Sequence, residues 1–223
     1  MSQDFEAIRY KLVEQQIRPW KVDDLDVLGT LHQIPRENFV SADQKVLAFI
    51  DTKLPLPGAK NPCQVMLEPK MEARLLQALK PKKTEKALEV GAGSGYMAAL
   101  LAAHAKSVTS VDIDPEMVTL AKSNLARAYI SNVTVEVGDA YTGWGDQSYD
   151  IICVSGGMPS LYEGLKQQLA IGGRLVAFIG EAPVMNAVLV TRLNATNFTE
   201  NILFETLVPN LTSAKVKTAS FSF

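Results

Sequence analysis

The sequence predicts an α/β fold: a mostly parallel, twisted sheet with helices on both faces, a helical N-terminal cap and an antiparallel C-terminal strand pair. Three observations carry that expectation. From Lys86 onward the short β-rich runs KALEV, SVTSVD, VTVEV, YDIICV and GRLVAFIG are separated, for the most part, by segments of helical character such as PEMVTLAKSNLARAY and PSLYEGLKQQL. That alternation is the pattern of strands joined through crossover helices. Before Lys86 the chain instead carries apolar residues at near-helical spacing, interrupted by prolines. After GRLVAFIG, the runs AVLVTRL and FTENILFETLV are joined by a few turn residues and no helix, as antiparallel neighbours are.

Taken in order, Phe5, Ile8, Leu12 and Ile17 mark a first helix that Pro19 stops, and Val22, Leu25, Leu28 and Leu31 mark a second that ends before Pro35. Ser41 can cap a third, carrying Val46, Leu47, Phe49 and Ile50. DTKLPLPGAKNP is too rich in Pro and Gly to be anything but loop. Pro69 suits the first turn of a fourth helix with Met71, Leu75, Leu76 and Leu79 inside it. The expected division is a cap with a substrate loop over residues 1–82 and a ligand-binding domain over 83–223, packed as one structural unit.

Composition narrows the function. The 223 residues are 47% hydrophobic and carry a formal net charge of −2, with Lys and Arg scattered. Neither nucleic acid nor an anionic membrane is an expected partner. Cys63 and Cys153 lie outside any disulfide or zinc spacing, and His32 and His104 lack partners at ligand spacing, so no metal is expected. His104 reads as a surface residue near a helix end. The N-terminus lacks the apolar core of a signal peptide and no run could span a bilayer, which makes the cytoplasm the expected compartment. The sequons at Asn132, Asn194, Asn197 and Asn210 then carry no meaning.

The chemistry concentrates in LEVGAGSGY, residues 88–96. Gly91 and Gly93 can take positive φ and admit a ligand where a Cβ would collide, and Gly95 lets the next helix pack close. No Lys-Ser or Lys-Thr follows, against a P-loop, and Tyr96 stands where a dinucleotide fingerprint needs its third glycine. That leaves little room for a nicotinamide dehydrogenase. Asp112 ends the next strand and can accept from both hydroxyls of a ribose, whereas Asp114, directly before Pro115, reads as a helix cap. Asp139 ends a third strand and can reach an adenine amino group. Glu68 is read as a residue favoured by the dipole of the following helix, and Tyr141 and Trp144 as either pocket walls or a packed loop.

The order Glu89, G-x-G-x-G, Asp112, Asp139 resembles the S-adenosylmethionine-dependent methyltransferases of the Rossmann-like class. The segments RYKLVEQQIR, VLGTLHQIPRENFV, AFIDTKLPL, LEVGAGSGYMAALLA, YDIICVSGGMP, LKQQLAIGGRLVAFIG and LVPNLTS look like successive signatures of the protein-L-isoaspartate O-methyltransferase family over nearly the whole chain. The resemblance implies S-adenosyl-L-methionine as cofactor and S-adenosyl-L-homocysteine as product, held by Met66, Glu89, Gly91, Ala92, Gly93, Ser94, Asp112, Ile113, Asp139 and Ala140. It implies methylation of the isoaspartyl α-carboxylate in damaged proteins, and a monomer is the expected state. In the substrate loop the family's Gln-Thr-Ile-Ser-x-Pro is replaced by Gln64-Val65-Met66-Leu67-Glu68-Pro69, so Leu67 stands at the family serine and both hydroxyls are lost. Gln64, Leu67, Lys70, Ser155 and Thr212 are the substrate-side residues, with Lys70, Ser155, Thr212 and the amides after Pro69 as substitute donors. Asn210 reads as an extra residue beside Thr212. A more apolar acceptor, or a cofactor-binding protein without turnover, is the alternative.

Overall fold

The computed structural model describes residues 4–213. The cap begins with α1 (Phe5–Lys11), which runs into a wider π-helical turn at Leu12–Ile17 and a 3-10 turn at Arg18–Trp20. The step of five from Leu12 to Ile17 is explained by that turn, since i→i+5 bonding returns both side chains to the buried face. The next helix, α2 (Leu25–Gln33), starts where the Asp24 carboxylate accepts from the Asp26 and Val27 amides. Here the expected stripe holds at Leu28 and Leu31 and fails at Leu25. Val22 is buried ahead of the helix, Leu25 is 73% exposed, and the inward face is Val27, Leu28 and Leu31.

The helix expected after Ser41 does not form. Two 3-10 turns, Ala42–Gln44 and Leu47–Phe49, take its place, and the Ser41 hydroxyl donates to the Gln44 side chain (2.9 Å) instead of capping. Val46, Leu47 and Ile50 are exposed, and only Ala48 and Phe49 are buried, so no stripe exists to hold a longer helix. Phe49 stacks on Phe5 at 5.4 Å. The proline-rich stretch is also not all loop. Its β1 (Leu54–Pro55) pairs antiparallel with β2 (Val65–Met66), which pins residues 56–64 at both ends. The fourth helix, α3 (Pro69–Leu79), has Pro69 in its first turn and buries Met71, Leu75, Leu76 and Leu79, as expected.

The α/β part runs β3 (Lys86–Val90), α4 (Tyr96–Ala102), β4 (Ser107–Asp112), α5 (Pro115–Arg127), β5 (Val133–Val137), β6 (Tyr149–Met158), α6 (Glu163–Gln167), β7 (Leu169–Glu181), β8 (Val184–Arg192) and β9 (Phe198–Thr206). One sheet of order β5-β4-β3-β6-β7-β8-β9 results, parallel from β5 to β7 and antiparallel from β7 to β9. The antiparallel part therefore joins three strands rather than an isolated pair. PSLYEGLKQQL supplies only the five-residue α6.

Alternation along β3 divides the core. Ala87 joins the cluster that contains the buried faces of α2, α3, α4 and α5, and Leu88 and Val90 join Tyr149, Leu165 and Leu175 on the opposite face. Cap and sheet share the first cluster, so residues 5–79 are not a separate core. Strand order reverses between β3 and β6, and the crevice beyond their carboxyl ends is where an open α/β sheet binds its ligand. Among the described residues no helix is long and apolar enough to cross a membrane.

Candidate active site

The turn after β3 is built for close approach. Gly91, Gly93 and Gly95 have φ of +94°, +49° and +81°, values that a side chain would strain. A Cβ on Gly95 would lie 3.2 Å from the backbone of Ala121, so this glycine sets the contact between α4 and α5. At the end of β4, Asp112 locks the turn: its Oδ2 accepts from the Gly93 amide and its Oδ1 from the Asp114 amide, each at 3.0 Å. Burial raises the Asp112 carboxyl above its ordinary range, and the Gly93 and Asp114 amides oppose that rise. Asp114 caps α5 through the Glu116 amide (2.9 Å).

Two further acids stand at strand ends. Glu89 is fully buried on β3 and accepts from Ser110 Oγ (2.5 Å) and Ser155 Oγ (2.9 Å); burial pushes its carboxyl up to about 8 despite both hydroxyls. Asp139, after β5, accepts from the Tyr141 amide (3.0 Å) and Ser213 Oγ (2.8 Å). Tyr141 lines the cleft beside Ala140. Trp144 instead packs its ring against Gly138, within 2.2 Å of where a Cβ would stand, and belongs to the loop packing.

A cleft opens beyond the carboxyl ends of these strands. It brings together Gly91, Gly93, Asp112, Ile113, Asp139 and Ala140 with Gln64, Leu67, Ser155 and Thr212. Met66, Glu89, Ala92 and Ser94 line an adjoining recess that shares Gly91, Gly93, Leu67 and Ser155 with it. Lys70 lines neither. Its ammonium pairs with Asp51 Oδ2 at 2.7 Å and lies 4.3 Å from the centre of the Trp20 ring, so the charge expected near the substrate is spent in the cap. Gln64 lines the cleft with its amide committed elsewhere, Nε2 to Asp114 (2.9 Å) and Oε1 to the Lys60 and Asn61 amides. Glu68 precedes α3 without capping it and faces Lys53 at 3.8 Å. His104 is half-buried, 2.7 Å from Thr30 Oγ1, not a surface residue; burial and Lys83 lower its pKa.

Sequence reasoning missed two supports. Behind the loop, the buried Arg36 donates from Nη2 to the Leu67 carbonyl (2.6 Å) and pairs with buried Glu72, whose carboxyl burial raises to about 7 against the pull of Arg36. Across the cleft, the segment Pro209–Thr212 docks on β6. Gly157 donates to the Pro209 carbonyl (2.8 Å), and the Leu211 amide donates to that of Gly157 (2.9 Å). Leu211 fills the space over Gly91 and Gly156 that side chains there would take. The P-R-E and S-G-G elements were the available signals, but neither names its partner.

This sheet order, a glycine turn at the switch point and acids at the ends of β3, β4 and β5 define the class of Rossmann-like, S-adenosylmethionine-dependent methyltransferases. The protein-L-isoaspartate(D-aspartate) O-methyltransferase family matches residues 8–215, and the chain belongs to that family. Among its relatives, protein-L-isoaspartate O-methyltransferase 2 of Marinobacter nauticus is 36% identical over 199 residues, 88% of this chain and 89% of the relative. Protein-L-isoaspartate O-methyltransferase 1 of Rhodopseudomonas palustris is 41% identical over 177 residues, 79% and 71% of the two chains. A solved protein-L-isoaspartate O-methyltransferase superposes with a TM-score of 0.80 at 25% identity, covering 92% of this chain and 66% of that one. A Plasmodium falciparum chain, described as a candidate enzyme of the same kind in complex with S-adenosyl-L-homocysteine, has the same fold, with a TM-score of 0.75 at 22% identity and 93% and 97% coverage.

Proposed function

We propose that this chain transfers the methyl group of S-adenosyl-L-methionine to the α-carboxylate of isoaspartyl residues in damaged proteins and releases S-adenosyl-L-homocysteine. Family membership over residues 8–215 supports the activity. The observation that carries it to the chain's own residues is the meeting of Asp112, Asp139 and the glycine turn in one cleft, with Glu89 in the recess that adjoins it, facing the loop that follows β1. When bound, the cofactor supplies an electrophilic sulfonium methyl. The residues fit it: a carboxylate has about four lone-pair positions, so Asp112 can accept from two ribose hydroxyls while still holding the Gly93 and Asp114 amides. In this reading Glu89 faces the cofactor's amino group, Asp139 and Ala140 its adenine, and Met66, Ala92, Ser94 and Ile113 complete the wall.

The acceptor carboxylate is ionised at neutral pH and needs no general base, so the residues contribute alignment and dehydration. The carboxylate oxygen bonds to the methyl carbon as the carbon–sulfur bond breaks, with its electron pair left on sulfur. The backbone nitrogen of the following residue then displaces methanol from the ester to close a succinimide, which water reopens to aspartate or isoaspartate. In the same reading the chain acts as a cytoplasmic monomer, with residues 56–67 of the cap on the acceptor wall; their place in the cleft lining supports the latter.

The test is incubation with labelled S-adenosylmethionine and paired isoaspartyl and aspartyl peptides. Base-labile label on the isoaspartyl peptide alone is expected, and none at saturating cofactor sinks the assignment. One observation favours a second reading: Val65 and Leu67 line the cleft and can donate nothing. Apolar carboxylic acids belong in the same assay.

A further inference from the structure

Resting on the isoaspartyl reading, the arrangement of donors in the cleft assigns carboxylate recognition to Asn210. Apart from Thr212, the donors that the sequence nominates are engaged within the protein. Ser155 Oγ donates to Glu89 (2.9 Å), Gln64 Nε2 to Asp114 (2.9 Å) and the Lys70 ammonium to Asp51 (2.7 Å). At the start of α3 the Lys70 amide donates to Asp51 Oδ1 (3.1 Å), and the Met71 and Glu72 amides donate to the Glu68 carbonyl. A charged acceptor brought against Val65 and Leu67 without a donor would lose its hydration uncompensated.

Asn210 is an amide of the cleft lining that stays uncommitted. It lines the cleft, its Oδ1 is enclosed with no partner among the described residues, and its Nδ2 donates to no described residue. Its place is fixed by the fold, because the backbone on either side is bonded to Gly157, through the Pro209 carbonyl and the Leu211 amide. A Cβ on Gly157 would stand 2.4 Å from Asn210 Oδ1 and 2.6 Å from Met185 Cε, so that glycine makes the room for the carboxamide. With Oδ1 enclosed, Nδ2 is the polar atom of this side chain left for a ligand in the cleft. Asn210 lines the same cleft as Val65 and Leu67, and the Met185 beside it belongs to the core cluster that also holds Leu67. The Asn210 Nδ2 hydrogen bond thus takes the part that a hydroxyl at Leu67 would otherwise play, with the exposed Thr212 beside it at the cleft rim.

The experiment compares the full chain with Asn210→Leu and Asn210→Asp, using an isoaspartyl peptide and labelled S-adenosylmethionine, and calorimetry with S-adenosylhomocysteine as the check on folding. Asn210→Leu is expected to raise the peptide KM about ten- to a hundredfold, the size of a lost hydrogen bond to a charge, with kcat and product affinity within about threefold of the parent. Asn210→Asp sets carboxylate against carboxylate. Its KM at pH 7.5 should exceed that of Asn210→Leu and recover as the pH falls towards 5, a recovery that a packing role would not produce. A peptide KM within twofold in Asn210→Leu, or no pH-dependent recovery in Asn210→Asp should Asn210→Leu fail to bind product, overturns the assignment. Absence of isoaspartyl methylation by the parent chain overturns the activity and this assignment together; activity without a KM change overturns this assignment alone.

Discussion

Asp112 has two tasks, holding the glycine turn and, in the proposed reading, gripping the ribose. Asp112→Ala removes a charged acceptor from both, so S-adenosylhomocysteine affinity should fall by about 1.5–3 kcal/mol, roughly ten- to a hundredfold; titration calorimetry measures it, and unchanged affinity would place the nucleoside elsewhere. Leu67 combines opposite demands. Its side chain is in the core cluster, so Leu67→Ser should cost about 2–5 kcal/mol of stability, read from a urea midpoint. In the folded fraction, turnover of an isoaspartyl peptide should nevertheless rise, because the hydroxyl adds a donor for the anion. The sequence exposed the loss of hydroxyls in this loop directly. It did not expose the fate of Lys70, whose pairing with Asp51 and Trp20 depends on residues 19 and 50 positions away.

Single elements hold the loop and turn. Asp114 caps α5 and also receives Gln64 Nε2 and Lys60 Nζ, which latches the substrate loop to the start of the helix. Asp114→Ala should therefore cost about 1 kcal/mol from the lost cap and, as a separate effect, speed amide hydrogen exchange over residues 60–67; stability loss without faster exchange would show that the latch is immaterial. At Gly95, positive φ and Ala121 at 3.2 Å act together. Gly95→Ala should destabilise by about 1–3 kcal/mol through the α4–α5 contact, checked by thermal unfolding.

The whole molecule carries a pH dependence to which two buried carboxylic acids, Glu72 and Glu89, contribute. Burial raises Glu72 to about 7 and Glu89 to about 8, against about 4.5 for the exposed side chain. Between these values the folded chain binds more protons than the unfolded chain, so stability falls as pH rises from about 5 to 8. The expected loss is on the order of a few kcal/mol, seen as a declining thermal midpoint across that range. Glu89→Gln should flatten the decline, and an equally steep profile in that variant would remove Glu89 from its cause.

By itself the sequence determined what depends on short-range pattern. The strand and helix alternation from Lys86, the glycine turn, Asp112 at a strand end and Asp114 as a cap are written within a few residues each, because φ preference, periodicity and capping are local physics. The same locality misled where apolar spacing stood alone, as at Leu25 and in the helix expected after Ser41, since burial is decided by what packs against a segment. Only the tertiary structure decided which donors remain available to a ligand. Ser155, Gln64 and Lys70 are suited by type to hold a carboxylate, but Glu89, Asp114 and Asp51 reach them first. Asn210 is left because its neighbour Gly157 leaves space for a side chain without supplying a partner for it.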